Sequence, residues 1–475
     1  MIRKFFLSVL FLTCLVINAE ELPVLRITFP GTNLNNVDYI KGLMILTDID
    51  GSSVTLNASF RTRGATALSY TMKPAFNMKL EDESGEELDY SLLNLRKAST
   101  FILDAMAIDR ICMRNRVCFD IWNAFSRLPY ESDFGSRNGT VGKFVILYMN
   151  DEYKGIYCMT DKVNRKLLNL KKPKVEPTGD VTIRGVLYKR GTTDIGNQND
   201  EGYFNDSTVY VARYHDAWEL KEPDDYPGLE AWKPLADYYD TPVTTENTLS
   251  QFYRENLIDY SLFVMAFSIE DNWGYKNMYF SMVNCQGDEN DRKFIVTPWD
   301  LDTSLGGAYD GACFNGNYSD WSMNDIAKSA IAPFSVCFSD SETRQAMKDR
   351  WLELRKSSLS VDSVASRLNN YCDLFEKSGA WNEYVKYWNS KSAKPCYVEN
   401  LSNEVSQIIE WYANRFDSMD EYFGIDKSLL PSYHTSGIKY DSGSIYNLQG
   451  MKVDVDKLVP GQIYVRNGVK FLYRE

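Results

Sequence analysis

Two stretches, EDNWGYKNMYF at 270–280 and KFIVTPWDLDTSLGG at 293–307, decide how this chain is read. A helical apolar pattern from Leu249 to Ile269 runs into the first, with Ile258, Leu262, Met265 and Ile269 as its core-facing stripe and Thr248 with Gln251 as a capping box. The apolar run FIV leads into the second as a strand. Asp271 and Asn277 are therefore expected just after a helix, and Asp300 and Asp302 just after the next strand. Carboxylate and amide oxygens are hard ligands that suit magnesium. Phosphoryl transfer asks for little more than positioned oxygens and neutralised phosphate charge. Each residue also has a plain explanation, Asp271 as a helix-end cap and WDLD as an ordinary turn. Their order and spacing are what set them apart.

Working outward, Val24 to Leu80 is strand-like, with apolar runs at Leu25 to Phe29, Leu43 to Leu46, Val54 to Phe60 and Ala75 to Leu80. A long helix is expected between Asp104 and Phe125, where Ile111, Cys118, Ile121, Trp122 and Phe125 recur at helical spacing. KFVILYM, a turn at Asn150 and Asp151, and YKGIYCM predict a hairpin. The polar region from Lys171 to Glu246 holds one further strand, GVLYK, and helices dominate from Ser341 to Phe423. After Pro431 the segments IYNLQGMKV and GQIYVRNGVKFLY predict a small β-module. The expected division is a leader at 1–19, a main domain at 24–425 and the module at 431–475.

Arg3 and Lys4, the apolar run Phe5 to Ile17 and the small residue Ala19 read as a secretory signal, too short to span a bilayer. Cys14 is an alternative lipid-attachment point, although Thr13 before it fits that pattern poorly. The chain is thus expected outside the cytoplasm, secreted, periplasmic or at the cell surface, with no transmembrane span. A net charge of −13 and a pI near 4.9 argue against nucleic acid as a partner. The run Lys166, Lys171, Lys172 and Lys174 reads as a solvated loop. Beyond Cys14 there are eight cysteines, an even number that permits disulfides but is too sparse to scaffold so long a chain, and no C-x-x-C occurs. With only His215 and His434, a histidine-rich metal site is excluded. A Ser-His-Asp triad would depend on one of those two.

Several ordered segments then resemble one family. PWDLDTSLGG is similar to the W-D-x-D-x-x-x-G signature of CotH-type kinases (spore-coat protein H-like atypical protein kinases), and DNWGYKNMYF to the segment preceding it. RTRGATALSYTMKPAFNMKL, DRICMRNRVCFDIW, LYMNDEYKGIYCMTDKVNR and DRWLELRK resemble further family segments, so the likeness spans about Leu25 to Gly424. It implies an α+β, protein-kinase-like two-lobe fold, with a β-rich N-lobe, a helical C-lobe and the small C-terminal β-module appended. It also implies ATP and Mg2+ or Mn2+ as cofactors. Carried over by position, Asp271 is the catalytic aspartate and Asn277, Asp300 and Asp302 are metal ligands. Gly64 and Thr66 sit in a phosphate-covering loop, and Lys79 or Lys73 holds phosphates. Tyr157, Asp161 and Lys162 lie where adenine would meet the hinge, and Asp109, Arg114 and Asn115 form a structural ion-pair and capping cluster.

The chain departs from the kinase pattern in three places: the Asp271-to-Asn277 spacing is six instead of five, the Asp104 to Phe125 helix has no glutamate, and Asp161 stands where glutamate is commoner. The resulting expectation is an exported kinase that transfers the γ-phosphate of ATP to Ser or Thr of a secreted or surface protein. Two alternatives stand beside it: a non-catalytic surface or adhesion protein on the same scaffold, and a carboxylate-based glycoside hydrolase.

Overall fold

The computed structural model describes residues 22–31, 33–64, 73–130, 137–191, 218–274, 276–308, 322–391 and 397–426, and short strands between 445 and 472. The leader read at 1–19 lies outside the described residues. Two compact units result, Met1–Phe416 and Asp417–Glu475.

The first unit opens with a closed seven-stranded barrel. Its strands are β1 (Val24–Thr28), β2 (Ile40–Thr47), β3 (Ser53–Arg63), β4 (Ala75–Glu81), β5 (Thr100–Asp104), β6 (Gly142–Met149) and β7 (Glu152–Asp161), and α1 (Arg114–Phe125) is inserted before β6. The order is β1-β2-β3-β4-β5-β7-β6, antiparallel throughout except where β1 meets β6 in parallel and removes the free edges. Period-two alternation fills the interior: Phe76, Met78 and Leu80 point inward on β4, while Asn77 and Lys79 face out. The β6–β7 turn forms because Asn150 and Asp151 accept φ values of 46° and 65°.

The expected helix from Asp104 to Phe125 is shorter. Asp104 ends β5, and positive φ at Met106 (44°) and Cys112 (52°) keeps the intervening chain irregular. Helix α1 starts only where the Asp109 carboxylate accepts the Met113 and Arg114 N–H groups, at 2.8 and 2.7 Å.

Two short strands, β8 (Lys174–Val175) and β9 (Val181–Thr182), pair with each other. A four-stranded sheet follows, in the order β11 (Trp218–Glu222), β10 (Val186–Arg190), β12 (Met278–Met282), β13 (Ile295–Pro298). Around it lie α2 (Leu229–Asp240), α3 (Thr245–Gln251) and α4 (Arg254–Phe267). The single helix expected from Leu249 to Ile269 is thus two. Thr244, not Thr248, caps α3 by accepting the Asn247 N–H. The chain breaks at Phe252 because Phe294 donates to the Gln251 carbonyl (2.7 Å) and Tyr253 donates to the Phe294 carbonyl (3.0 Å). Helix α4 is buried on every face from Asn256 to Phe267, and Trp122 of α1 packs on its Tyr260 and Phe263. Helices α5 (Met323–Ser329), α6 (Val336–Ser339), α7 (Ser341–Leu354), α8 (Val361–Lys377), α9 (Ala380–Ser390) and α10 (Leu401–Tyr422) complete the helical part.

In the second unit β14 (Ile445–Tyr446), β15 (Lys452–Val453), β16 (Ile463–Arg466) and β17 (Val469–Leu472) form a sheet in the order β15-β14-β16-β17, with Asn467-Gly468 between the last two strands. The architecture is mixed α+β. Its opening β part is a closed barrel, and a second sheet sits within the helical part. Among the described residues no helix is long and apolar enough to cross a membrane. Among the described residues the cysteines at 112, 118, 158, 285, 337 and 372 are free thiols.

Candidate functional site

Strand register brings the two decisive stretches together. Met278 pairs with Pro298, so β12 begins where β13 ends, and the Trp299 N–H donates to the Asn277 carbonyl at 2.9 Å. The fully buried Asn272 holds both ends, its amide donating to the Asn277 carbonyl (2.8 Å) and the Trp299 carbonyl (2.6 Å). Asn277 and Asp300 each adopt φ near +60°, a region that Asn and Asp enter more readily than most residues. Strand β13 is fixed from beneath, because Asn256 of α4 receives the Val296 N–H at 2.7 Å and Asn138 donates to the Val296 carbonyl at 3.0 Å.

The carboxylates of Asp300 and Asp302 lie close enough to act directly on each other. Surrounding protein and then the nearby Asp104 raise the Asp300 pKa, while Arg63 and Lys189 oppose the rise. Asp302 is pushed well above the ordinary carboxylate range, by its surroundings first and then by Asp300, Asp104 and Asp109. Asp300 is exposed and Asp302 half-buried, so water damps the effect more at Asp300 and leaves that carboxylate open to an arriving cation. Asp104, at the rim of the barrel, accepts from the Asn115 amide at 2.6 Å, and Asn115 in turn accepts the Leu301 N–H at 3.1 Å. Asn115 is therefore a bridge between barrel, α1 and the WDLD loop, beyond the capping role read for it. Asp109 and Arg114 do form the buried ion pair expected of them.

Two carboxylates this close repel, and a proton or a cation between them relieves the repulsion. Among the described residues no three Asp, Glu, His or Cys side chains are gathered as a ready metal cluster. Two carboxylates completed by amide or phosphate oxygens and water is the partly hydrated shell magnesium favours, and these residues fit it.

Asp271 lies in the turn after α4 and is ion-paired with Lys276 at 3.0 Å. Gly64 directly follows β3, with φ 103°, while Thr66 lies outside the described residues. The phosphate role read for Lys73 is corrected. Its ammonium is buried and donates to the Ala105 carbonyl (2.7 Å), the Ile156 carbonyl (2.7 Å) and the Tyr384 hydroxyl (2.9 Å), and burial lowers its pKa to about 8. Replacing it by Met strands both carbonyls, so Lys73→Met is expected to lose about 2–4 kcal/mol of stability in urea unfolding. Unchanged stability with lost ATP binding would restore the phosphate role.

Lys79 is ion-paired with Glu87 at 2.7 Å, about 13 Å along β4 from the rim that carries Arg63 and Asp104. Two of the residues placed at the hinge are also taken up internally. Tyr157 fills the barrel, its hydroxyl donating to the Pro74 carbonyl, and Asp161 is buried against Arg96 at 2.9 Å. Lys162 alone of the three is exposed.

The residues missed in the sequence are cations. Lys189 of β10, Tyr279 of β12 and Trp299 lie on one face of the four-stranded sheet, as the pairing Lys189↔Tyr279 and the Tyr279–Trp299 ring contact (5.8 Å) show. The Arg63 guanidinium stands over the Trp299 ring, 5.4 Å from its centre. Only the strand register reveals this, since 63, 189 and 299 are far apart in the chain.

Comparison with curated proteins gives no match. The family model described as CotH kinase protein matches residues 60–419, which contain both carboxylate stretches and their supporting strands. The chain belongs to the CotH kinase protein family, and that membership suggests a kinase-like activity.

Proposed function

We propose that this protein is an exported, metal-dependent phosphotransferase that moves the γ-phosphate of ATP to Ser or Thr hydroxyls of secreted or surface proteins. The observation that carries the reading is the Asp300–Asp302 pair, close together and accessible, beside a barrel rim bearing Asp104 and Arg63. Bound Mg2+ or Mn2+ supplies charge neutralisation of the phosphates. Asp300 and Asp302 would hold the cation, and Asn277, fixed beside them by Asn272, offers an amide oxygen to the same ion. Asp271 orients the acceptor hydroxyl and takes its proton, and Lys276, ion-paired with it at 3.0 Å, holds it in the turn after α4.

Purified protein incubated with γ-labelled ATP, Mg2+ or Mn2+ and a generic protein acceptor should label the acceptor. No transfer in either metal would sink the reading and favour a non-catalytic surface protein on this scaffold.

A further inference from the structure

We infer that Lys189, with Arg63 beside it, is the cationic seat for the phosphate chain of the nucleotide. This rests on the phosphotransferase reading and assigns the part that Lys73 cannot play. Arg63 and Lys189 both act on Asp300, and further cations lie around those two. Lys189 lies in the field of Arg63 and Lys221, and Lys162 in the field of Lys221, Arg63 and Arg61. Acidic compensation there is thin. Glu219 pairs with Lys221, and Glu222 accepts the Arg165 N–H at 3.0 Å. Lys189 itself makes no ion pair with a described residue.

Like charges crowded in a partly dehydrated cleft repel, and an anion relieves the repulsion. Packing lowers the Lys189 pKa, and Asp300 and Glu219 act against that. The same cleft thus presents carboxylates for a divalent cation and ammonium and guanidinium groups for phosphate oxygens. That division of charge matches a metal–polyphosphate and no neutral sugar. Arg63 is doubly placed: its guanidinium lies over Trp299, next to Asp300, and its strand runs directly into Gly64. Lys189 lies on the sheet face that carries Trp299, the ring Arg63 covers, fixed by a backbone register that tolerates no slip without turning Tyr188 out of its core.

The test uses the full chain with magnesium tripolyphosphate as the probe, measured by calorimetry, and Mn2+ alone, measured by paramagnetic resonance. Lys189→Met should weaken tripolyphosphate binding about tenfold or more and leave Mn2+ binding intact, while Lys189→Arg restores most of the affinity. Equal tripolyphosphate affinity in wild type and Lys189→Met overturns the inference while the parent reading stands. A wild type that binds neither Mn2+ nor tripolyphosphate overturns both. A second measurement needs no variant: reductive methylation of the wild type should be suppressed several-fold at Lys189 by magnesium tripolyphosphate and unaltered at the exposed Lys174. Equal labelling of Lys189 with and without the probe overturns the inference.

Discussion

Asp300→Asn is expected to reduce phosphate transfer by about 10²–10³-fold, the scale on which removing one preorganised charge from a transfer site is felt. The exchange keeps size and shape and removes only charge. Asp300 is one of two closely placed carboxylates, with Asp104 close by, and their repulsion is what a divalent cation would relieve. In the absence of metal the variant should therefore be at least as stable as the wild type, because the repelling charge has gone. With Mg2+ and ATP the wild type should gain stability by mass action, and the variant should gain little. Activity and apo stability then move in opposite directions, which a misfolded variant cannot imitate. Transfer within threefold of wild type, or metal-dependent stabilisation that survives the substitution, would remove Asp300 from the site.

The second large effect is expected far from the cleft. Asp259 of α4 has a fully buried carboxylate that accepts from the Arg127 N–H (2.9 Å), from the Arg127 guanidinium (2.9 and 3.0 Å) and from Arg350 of α7 (2.9 Å). Arg350 also donates to the Phe125 carbonyl at the end of α1 (2.7 Å). One carboxylate thus fastens three helices. Asp259→Ala removes the buried counter-charge shared by Arg127 and Arg350 and leaves the nearly buried Arg350 only the exposed Glu353 at 2.6 Å, and a loss of about 3–5 kcal/mol in urea unfolding is expected. A loss below about 1 kcal/mol would mean that water replaces the carboxylate at no cost. The consequence reaches function, because α1 carries Asn115 and α4 leads into Asp271, so loosening their joint also loosens both ends of the cleft.

Local chemistry made much of this readable in one dimension. Strands β1 to β4 fall within a few residues of the apolar runs that announce them, because alternation records which side of a strand meets the core. Asn150-Asp151 marks its turn, since both residues tolerate the left-handed backbone it needs. The helix breaks were hidden. The split at Phe252 follows from hydrogen bonds to Phe294, more than forty residues later, and α1 begins at Arg114 because Asp109 folds back onto its first turn.

The sequence by itself determined the family, the broad succession of β-rich, helical and β segments and the acidic and amide residues that follow α4 and β13, because these depend on side-chain type and short spacings, whereas β5, β8, β9, β11 and α2 went unread. Only the tertiary structure decided which lysines face the cleft. Lys73 looks available in its motif, yet backbone carbonyls from β7 and the chain after β5, together with a tyrosine of α9, consume its donors. Lys189 lies in an unremarkable strand, yet the β10–β12–β13 register sets it on the face that carries Trp299, the ring Arg63 covers, within the field of Asp300. Charge acts through space with little regard for chain distance, so a residue's partners, and with them its chemistry, are fixed only when the sheet closes.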